Sequence, residues 1–214
     1  MIKAKVKCVY YRYGGGEGVI LCLYVDDILI FGSSLKVIEE VKEFLSNNFE
    51  MKDLGEADVI LNIKLLREGD GGITLLKSHY VKNVLSRFGF NDCQPAPTPY
   101  DSSVLLRKKQ RISRDQLRYS QIIGSLMYLA SAIRPDISFV VCKLSRFVSN
   151  PGDDHWRALE RVMRYLKGTM SYVIRYTGHP NVLEGYCDVN WISDADELYA
   201  TSGYVFSLGG GAVS

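Results

Sequence analysis

The order of hydrophobic patterns along the 214-residue chain predicts an α+β fold. Short apolar runs typical of strands come first, segments with helical spacing of apolar residues fill the middle, and strand-like runs return at the end. Glycine- and proline-rich stretches separate these segments. The return from helices to strands places a boundary near Gly168. We therefore expect three parts, over residues 1–77, 78–168 and 169–214.

The first part of the chain predicts a series of hairpins. Residues 6–13 are strand-like, and the glycine cluster at 14–18 is typical of a turn. The apolar runs 19–23 and 28–31 have the length and composition of buried strands, and they flank Tyr24-Val25-Asp26-Asp27. Because strands this short and apolar are joined best by a two-residue turn, we expect the two carboxylates at or beside a tight hairpin.

Two adjacent carboxylates at such a turn have two interpretations. The like charges of Asp26 and Asp27 repel each other, and partial burial would raise the cost of keeping both ionised. A divalent cation would remove that cost, and carboxylate oxygens suit Mg²⁺. The alternative is a solvated turn, since aspartate favours turns through its local hydrogen bonds.

Further elements follow the hairpin. A serine at position 33 or 34 can cap a helix over 35–48, with Val37, Ile38, Val41, Phe44 and Leu45 on its inner face. Two strands over 59–65 and 73–76 flank a glycine-rich turn. A helix over 78–89 is then followed by an extended, proline-rich connector over 94–99.

The second half of the chain predicts three helices before the final strands. The first begins at a capping box formed by Ser113 and Gln116, and Pro135 ends it. The others cover about 136–149 and 153–168. Strands are predicted at the end of the chain, over 172–176, 182–187 and 203–208.

Composition excludes several classes of protein. The formal net charge is +2 and the pI is about 8.2, so nucleic-acid binding would have to come from local basic patches. No apolar run reaches the ~18 residues that span a bilayer, and no signal peptide is visible, so we expect no membrane partner. The cysteines, 5 in number and never in a C-x-x-C pair, indicate a reduced intracellular chain without a zinc site.

Two basic segments are candidates for nucleic-acid contacts. The first contains Arg107, Lys108, Lys109, Arg111, Arg114 and Arg118. The second is one face of the last helix, with Arg157, Arg161, Arg164 and Lys167. A charged helix face of this kind is usually only solvated, so both interpretations stay open.

Several motifs occur together and in one order along the chain. They are residues 23–30 (LYVDDILI), 49–55 (FEMKDLG), 124–130 (GSLMYLA), 134–137 (RPDI), 164–169 (RYLKGT) and 185–188 (GYCD). With this set the chain resembles the copia type of long-terminal-repeat retrotransposon polyprotein. The resemblance covers the C-terminal part of the reverse transcriptase and the start of the ribonuclease H. It implies a partial palm with its catalytic hairpin, a helical thumb and tether, and an incomplete ribonuclease H-like domain.

The resemblance also implies roles for individual residues. Asp26 and Asp27 would hold the catalytic Mg²⁺ ions, and Tyr24 would lie beneath the primer end. Asp188 would be the first metal-binding aspartate of ribonuclease H, although a strand-edge carboxylate without a role is the alternative. The thumb and tether of this family lie along the duplex of RNA template and DNA primer, so backbone contacts from both basic segments are expected.

One position departs from the family pattern. Residues 60–63 match the hairpin that grips the primer strand, and Asn62 stands where the family usually has glycine. Asparagine adopts left-handed backbone angles more readily than most residues. We therefore expect the turn to form with asparagine in this place.

The carboxylates in this chain are too few for a complete enzyme of the family. No acidic strand precedes Val19, and the ribonuclease H portion ends after about two strands. Two-metal chemistry needs several carboxylates around cations roughly 4 Å apart. We expect a fragment that is catalytically incomplete without the rest of its polyprotein. The alternatives are a non-catalytic nucleic-acid-binding remnant and a decayed product that folds poorly. The expected location is intracellular, in the cytoplasm, within virus-like particles for a complete element.

Overall fold

A computed structural model describes residues 3–6, 8–107, 115–177, 182–190 and 201–213 of the chain. The chain divides into two compact units, Met1–Glu56 and Ala57–Ser214. The three-part division at residues 77 and 168 remains a prediction. Within the described residues, every helix is too short or too polar to cross a membrane.

The first unit is a four-stranded antiparallel sheet followed by one helix. Its strands pair in chain order, and the elements are β1 (Lys3–Val6), β2 (Val9–Gly14), β3 (Glu17–Tyr24), β4 (Asp27–Gly32) and α1 (Leu35–Asn48). Gly15 and Gly16 make the turn between β2 and β3 with positive φ angles of 65° and 84°, which glycine adopts without strain. The predicted helix over 35–48 is confirmed, and Ser34 caps it by accepting a hydrogen bond from the Val37 amide.

Alternation along the strands places one face of this sheet against α1. Val19, Leu21 and Val37 are the buried residues of this small core. The residues packed around them are Ile28, Ile30, Val41 and Leu45. The prediction that Phe44 lies on the inner face of the helix is wrong, because its side chain is 59% exposed. The helix is therefore anchored by a narrow stripe of smaller side chains.

The second unit combines helices with two antiparallel sheets. Its elements are β5 (Val59–Ile60), β6 (Ile63–Arg67), β7 (Ile73–Leu76), α2 (Ser78–Arg87), α3 (Gln116–Ala132), a 3₁₀ turn (Pro135–Ile137), α4 (Ser138–Ser145), α5 (Asp153–Gly168), β8 (Ile174–Tyr176), β9 (Leu183–Asn190), β10 (Thr201–Leu208) and β11 (Gly211–Ala212). One sheet has the order β5-β6-β7-β8, and the other has the order β11-β10-β9. Strand β8 pairs with β7, so one sheet joins segments from both sides of the helices.

Two predicted elements of this unit differ from the structure. The strand predicted over 59–65 is two strands, because a tight turn at Leu61 and Asn62 separates β5 from β6. The helix predicted over 136–149 is a 3₁₀ turn followed by the shorter α4. Ser113, the predicted cap of α3, lies outside the described residues. Asp115 caps that helix by accepting a hydrogen bond from the Arg118 amide.

The helices enclose the main hydrophobic core of the second unit. Each helix contributes apolar residues at the spacing of one face, as the sequence predicts. Residues whose side chains are fully enclosed include Ile122, Leu126, Leu129, Ile137, Leu144, Leu159, Val162, Met163 and Leu166. Tyr119 is also enclosed, and its hydroxyl donates a hydrogen bond to the Leu144 carbonyl at 3.0 Å. Its polar group is thereby satisfied inside an apolar core.

A buried arginine closes one end of this helical core. Arg134 follows α3 and is 2% exposed. Its guanidinium donates to the Asp136 carboxylate, at 2.8 Å from Nη2 and 2.9 Å from Nε. It also donates to the Thr169 carbonyl at 3.1 Å and to the Thr169 hydroxyl at 2.7 Å. The hydroxyl of Tyr165 adds a third donor to Asp136, at 2.9 Å. We call these four residues the Arg134 network.

The network shifts the ionisation of its carboxylate. Burial alone would raise the pKa of Asp136, but the hydrogen bonds and positive charge of Arg134, with the hydroxyl of Tyr165, outweigh burial and hold that pKa below its ordinary value. The ionised form of Asp136 is therefore favoured by folding. Since Thr169 directly follows α5, the same contacts join the end of α3 to the end of α5.

Asp136→Asn is expected to lower the free energy of unfolding at neutral pH by about 3 kcal/mol, because the guanidinium of Arg134 stays buried without its charged partner. The carboxylate contributes its full stabilisation above the unfolded-state pKa of about 3.9. That contribution is lost as the pH falls through the lower folded-state pKa. Urea denaturation followed by far-UV circular dichroism should therefore show a deficit that shrinks toward about pH 3.

Asp92→Asn is the matched control for this prediction. Asp92 is exposed and lies in the same unit. We expect its substitution to change stability by less than about 0.5 kcal/mol. A deficit for Asp136→Asn no larger than that of the control would show that the ion pair contributes nothing measurable.

Candidate active-site hairpin and nucleic-acid interface

The predicted hairpin around the two aspartates is confirmed. Strand β3 ends at Tyr24, strand β4 begins at Asp27, and these two residues are the last pair of the antiparallel ladder. Val25 and Asp26 are therefore the central residues of a two-residue turn. The strand register from Val19 paired with Gly32 up to this turn is unbroken. The turn is thus held by pairing along the whole length of β4.

Val25 occupies a backbone conformation that valine rarely adopts. Its φ angle is +51°, whereas the φ angle of Asp26 is not positive. A type II′ turn has this combination at its two central residues. Glycine is the usual residue at that position. A β-branched side chain there carries strain of about 1–3 kcal/mol. This conformation could not be predicted, because nothing in the sequence distinguishes Val25 from a valine in a strand.

The turn presents its polar groups to solvent. Asp26 and Asp27 are exposed, and the Tyr24 side chain is 57% exposed. As directly opposed residues of the ladder, Tyr24 and Asp27 project from the same face of the sheet. Carboxylate oxygens of this kind match Mg²⁺ in chemical type. Within the described residues, however, three or more potential ligand side chains nowhere come together. The hairpin thus provides two carboxylate ligands but not a complete metal-binding site.

A separate candidate hairpin, in the second unit, lies between β5 and β6. Ile60 pairs with Ile63 across a two-residue turn, in which Leu61 and Asn62 have φ angles of +49° and +58°. Positive φ at both central residues is the signature of a type I′ turn. The expectation that Asn62 supports the turn in a left-handed conformation is confirmed. Leu61 and Asn62 are both exposed, so the hairpin tip is accessible.

This hairpin has a contact that the sequence did not predict. The hydroxyl of Tyr128 on α3 donates a hydrogen bond to the Leu61 carbonyl at 3.0 Å. The side chain of Lys77 lies under the Tyr128 ring, with Nζ 3.7 Å from the ring centroid. Neither residue is among the candidate site residues that the sequence predicts. The helical spacing of α3 identifies its buried face, but it gives no sign of what the opposite face touches.

The basic face of α5 is largely engaged with the proline-rich connector. Arg161 donates to the Thr98 carbonyl at 3.2 Å and to the Thr98 hydroxyl at 2.8 Å, and Arg164 donates to the Gln94 carbonyl at 2.7 Å. Arg157 is 74% exposed and pairs with Asp154 one helical turn away. The connector therefore covers part of the face that the sequence analysis left open to solvent or nucleic acid. Lys167 is half-buried near the end of the helix.

The remaining candidate residues are less constrained. Arg107 is exposed, whereas Lys108 and Arg111 lie outside the described residues. Asp188 is an exposed residue of β9, opposite Gly203 of β10. In the described part of the chain it joins no cluster of metal-ligating side chains. Its role in a ribonuclease H site remains a prediction.

Comparison with known proteins places these hairpins in a family. Residues 2–102 match the family model described as reverse transcriptase (RNA-dependent DNA polymerase). The chain is 38% identical over 216 residues to the retrovirus-related Pol polyprotein from transposon TNT 1-94 of Nicotiana tabacum. That alignment covers 97% of this chain and 16% of the tobacco polyprotein.

This chain covers most of the length of two shorter relatives. One is a Saccharomyces cerevisiae protein whose name ascribes it to transposon Ty5-1, 33% identical over 96% of this chain and 68% of its own length. The other is a mitochondrial protein of Arabidopsis thaliana, 34% identical over 91% of this chain and 80% of its own length. The chain belongs to the reverse transcriptases of copia-type retrotransposons. The sequence-based resemblance is thereby confirmed.

This reverse-transcriptase chain spans about one sixth of the tobacco polyprotein. The chain likewise covers 13% of the length of each of two Arabidopsis thaliana polyproteins that it matches, from the transposons RE1 and RE2. No solved structure matches the chain significantly.

Val25→Gly is expected to stabilise the hairpin of the reverse transcriptase by about 1 kcal/mol. Glycine relieves the strain of the positive φ angle, and its greater freedom in the unfolded chain offsets part of that gain. Hydrogen exchange of the β3 and β4 amides would report the free energy of local opening. Val25→Ala, which keeps a Cβ atom but removes the branching, should fall between the parent and the glycine variant. Faster exchange in Val25→Gly than in the parent would contradict a strained turn.

Proposed function

We propose that this chain supplies the catalytic hairpin and a nucleic-acid surface to the polymerase site of a copia-type reverse transcriptase. The observation that carries the proposal is the two-residue turn at Val25 and Asp26. It presents two adjacent, exposed carboxylates at the tip of a fully paired hairpin. Strands that are paired up to the turn limit the movement of those carboxylates, as a metal site requires.

Asp26 and Asp27 are the residues that would hold Mg²⁺ in this site. They are hard oxygen ligands, but they fill only part of the six-oxygen shell that Mg²⁺ prefers. A bound metal would stabilise charge on the attacking and leaving oxygens of nucleotidyl transfer. The remaining ligands would come from the rest of the polyprotein, whose tobacco relative is much longer than this chain. By itself the chain is proposed to be catalytically incomplete.

The nucleic-acid surface is proposed to include the hairpin tip at Leu61 and Asn62 together with exposed basic residues. Arg107 and Arg157 are the described candidates with the greatest freedom to reach a phosphate. Arg164 keeps its charge while binding the connector, so it would add to the local positive potential, whereas Arg161 also pairs with the Asp101 carboxylate at 3.5 Å. RNA template and DNA primer are the proposed partners, and their duplex would be contacted through its phosphates.

The finer assignments of the sequence analysis are part of this proposal. Residues 1–77 would be the partial palm, 78–168 the thumb and tether, and 169–214 the start of ribonuclease H with Asp188 as its first metal ligand. An intracellular setting fits the cysteines, since all five lie in the described residues and are free thiols. For a complete element that setting would be the cytoplasm and its virus-like particles.

A non-catalytic nucleic-acid-binding remnant is the second candidate function. It is favoured by the small number of carboxylates that the described residues bring together. It is also favoured by the two short relatives, most of whose length this chain covers. In this alternative the basic residues would be functional and the two hairpin aspartates would not.

Metal binding by the hairpin separates the two candidates. In the proposed function, Mn²⁺ added to the isotopically labelled chain should broaden the amide resonances of residues 24–28 before those of other acidic segments. Asp26→Asn with Asp27→Asn should remove this selectivity, because the cation loses both of its ligands. The chain alone should not extend a primer with either Mg²⁺ or Mn²⁺.

Asp92→Asn is the control for loss of one exposed carboxylate in a different segment. It should leave the broadening at the hairpin unchanged. Broadening at residues 24–28 that survives the double substitution would contradict metal binding by these aspartates. It would leave the non-catalytic remnant as the better function.

The salt dependence of duplex binding tests the proposed surface. We expect the chain to bind an RNA–DNA hybrid with a Kd of about 10⁻⁴ to 10⁻⁶ M, without sequence preference, through release of counterions from phosphates. Each phosphate contact contributes about 0.9 to the slope of log affinity against log salt. Replacing Arg107 and Arg157 by glutamine should therefore flatten the slope by up to about 1.8.

Lys36→Gln with Lys82→Gln provides a variant of equal net charge. Both lysines are exposed and lie on other helices, α1 and α2. Their loss should lower affinity slightly at low salt without a comparable change of slope. Equal slopes for the parent and the arginine variant would mean that the two arginines do not contact phosphates.

A further inference from the structure

A buried cation lies behind the hairpin that joins β5 and β6. Lys77 stands between β7 and α2, and its side chain is almost fully enclosed, at 2% exposed. Its Nζ atom has no hydrogen-bond partner in the described part of the chain. An ammonium group without such a partner is costly to bury. The position of Lys77 in the core therefore needs a reason other than packing.

Two tyrosine rings enclose this ammonium group. The Nζ atom is 3.7 Å from the ring centroid of Tyr128 and 5.6 Å from that of Tyr80. The two rings meet edge to face, with centroids 5.1 Å apart. A cation over an aromatic face is attracted by the electron density of the ring, and more strongly where water is excluded. Lys77 thus fixes the position and tilt of the Tyr128 ring.

The free end of Tyr128 reaches the hairpin. Its hydroxyl donates to the Leu61 carbonyl at 3.0 Å, and Leu61 is one of the two central residues of the turn. Positive charge over the ring draws electron density from the phenol and makes its O–H a stronger donor. One continuous set of contacts therefore runs from Lys77 through the Tyr128 ring to the backbone of the turn.

We propose that Tyr128 and Lys77 are positioning residues for the hairpin at Leu61 and Asn62, holding it in the orientation in which it contacts a nucleic-acid duplex. This inference rests on the proposed function, since it assigns the duplex as the ligand of that hairpin. The tip itself is exposed and its two central residues have left-handed backbone angles. A two-residue tip attached through only two residues of β5 needs an additional restraint, and the Tyr128 hydroxyl supplies it.

Tyr128→Phe removes the hydroxyl and keeps the ring above Lys77. Hydrogen exchange of the amides over 59–65 in the free chain should speed up by about threefold to tenfold, the range expected for one lost hydrogen bond. Affinity for a labelled RNA–DNA hybrid should fall by a similar factor. The melting temperature should stay that of the parent, because the lost hydrogen bond is exposed. Tyr186→Phe is the matched control, since Tyr186 is 63% exposed on β9. It should change none of these quantities.

Lys77→Met tests the cation. It removes the buried charge while keeping a long, flexible side chain. We expect affinity for the hybrid to fall while the melting temperature is unchanged or higher, because the cost of burying an ammonium group disappears. A variant that combines Lys77→Met with Tyr128→Phe should bind no more weakly than Tyr128→Phe, since the two residues act through one hydrogen bond. Lys77→Arg keeps a cation near the ring, so its affinity for the hybrid should stay close to that of the parent and above that of Lys77→Met.

The outcomes separate this inference from the function on which it rests. If the parent chain does not bind the hybrid, the proposed function fails and the positioning role fails with it. If the parent binds and Tyr128→Phe binds equally well, the positioning role alone is overturned. Faster exchange over 59–65 with unchanged affinity would likewise overturn it, because the hairpin would then be restrained but not used in binding.

Discussion

The larger unit of this protein depends on one buried guanidinium group. The guanidinium of Arg134 keeps its positive charge inside the fold, so it stays buried only with its partners, since an unpaired buried charge costs several kcal/mol. Asp136 and Thr169 supply those partners, and in doing so they fix the end of α5 against the end of α3. The chain leaving Thr169 soon enters β8, which completes the sheet that begins with β5 and β6. The arrangement of the helices thus determines where the hairpin at Leu61 is held.

The smaller unit has a simpler constraint. Strands β3 and β4 pair without a break up to a turn of only two residues, so Asp26 and Asp27 are placed by the backbone and need no side-chain contacts. A valine with positive φ keeps the turn tight at the cost of local strain. Strain of this kind is tolerated where a turn must present particular groups. The two carboxylates are suitable ligands for Mg²⁺, but they are too few to complete its coordination shell. The proposed polymerase site would therefore need ligands from other parts of a polyprotein.

Much of this architecture follows from the spacing of residues. Helix α1, the Asp26 hairpin and α5 could be predicted because apolar periodicity and short apolar runs reflect burial directly. Apolar spacing alone predicted a single strand over 59–65, and only the family resemblance of residues 60–63 predicted the turn at Leu61 and Asn62. The contacts of the basic face of α5 could not be predicted. Spacing shows that Arg161 and Arg164 share a face, but it does not show that a distant connector lies on that face. The burial of Lys77 could not be predicted from spacing either, because it depends on contacts with the rings of Tyr80 and Tyr128.

Native-state hydrogen exchange in rising concentrations of urea tests most directly whether the Arg134 network unites the helical core. The amides of α3 and α5 should share one opening free energy, equal to that of global unfolding of the unit, because the network cannot release one helix while the other stays folded. The same experiment on Arg134→Met, which fills similar volume without charge, should show the two helices opening at different urea concentrations. Separate opening of α3 and α5 in the parent chain would contradict the account.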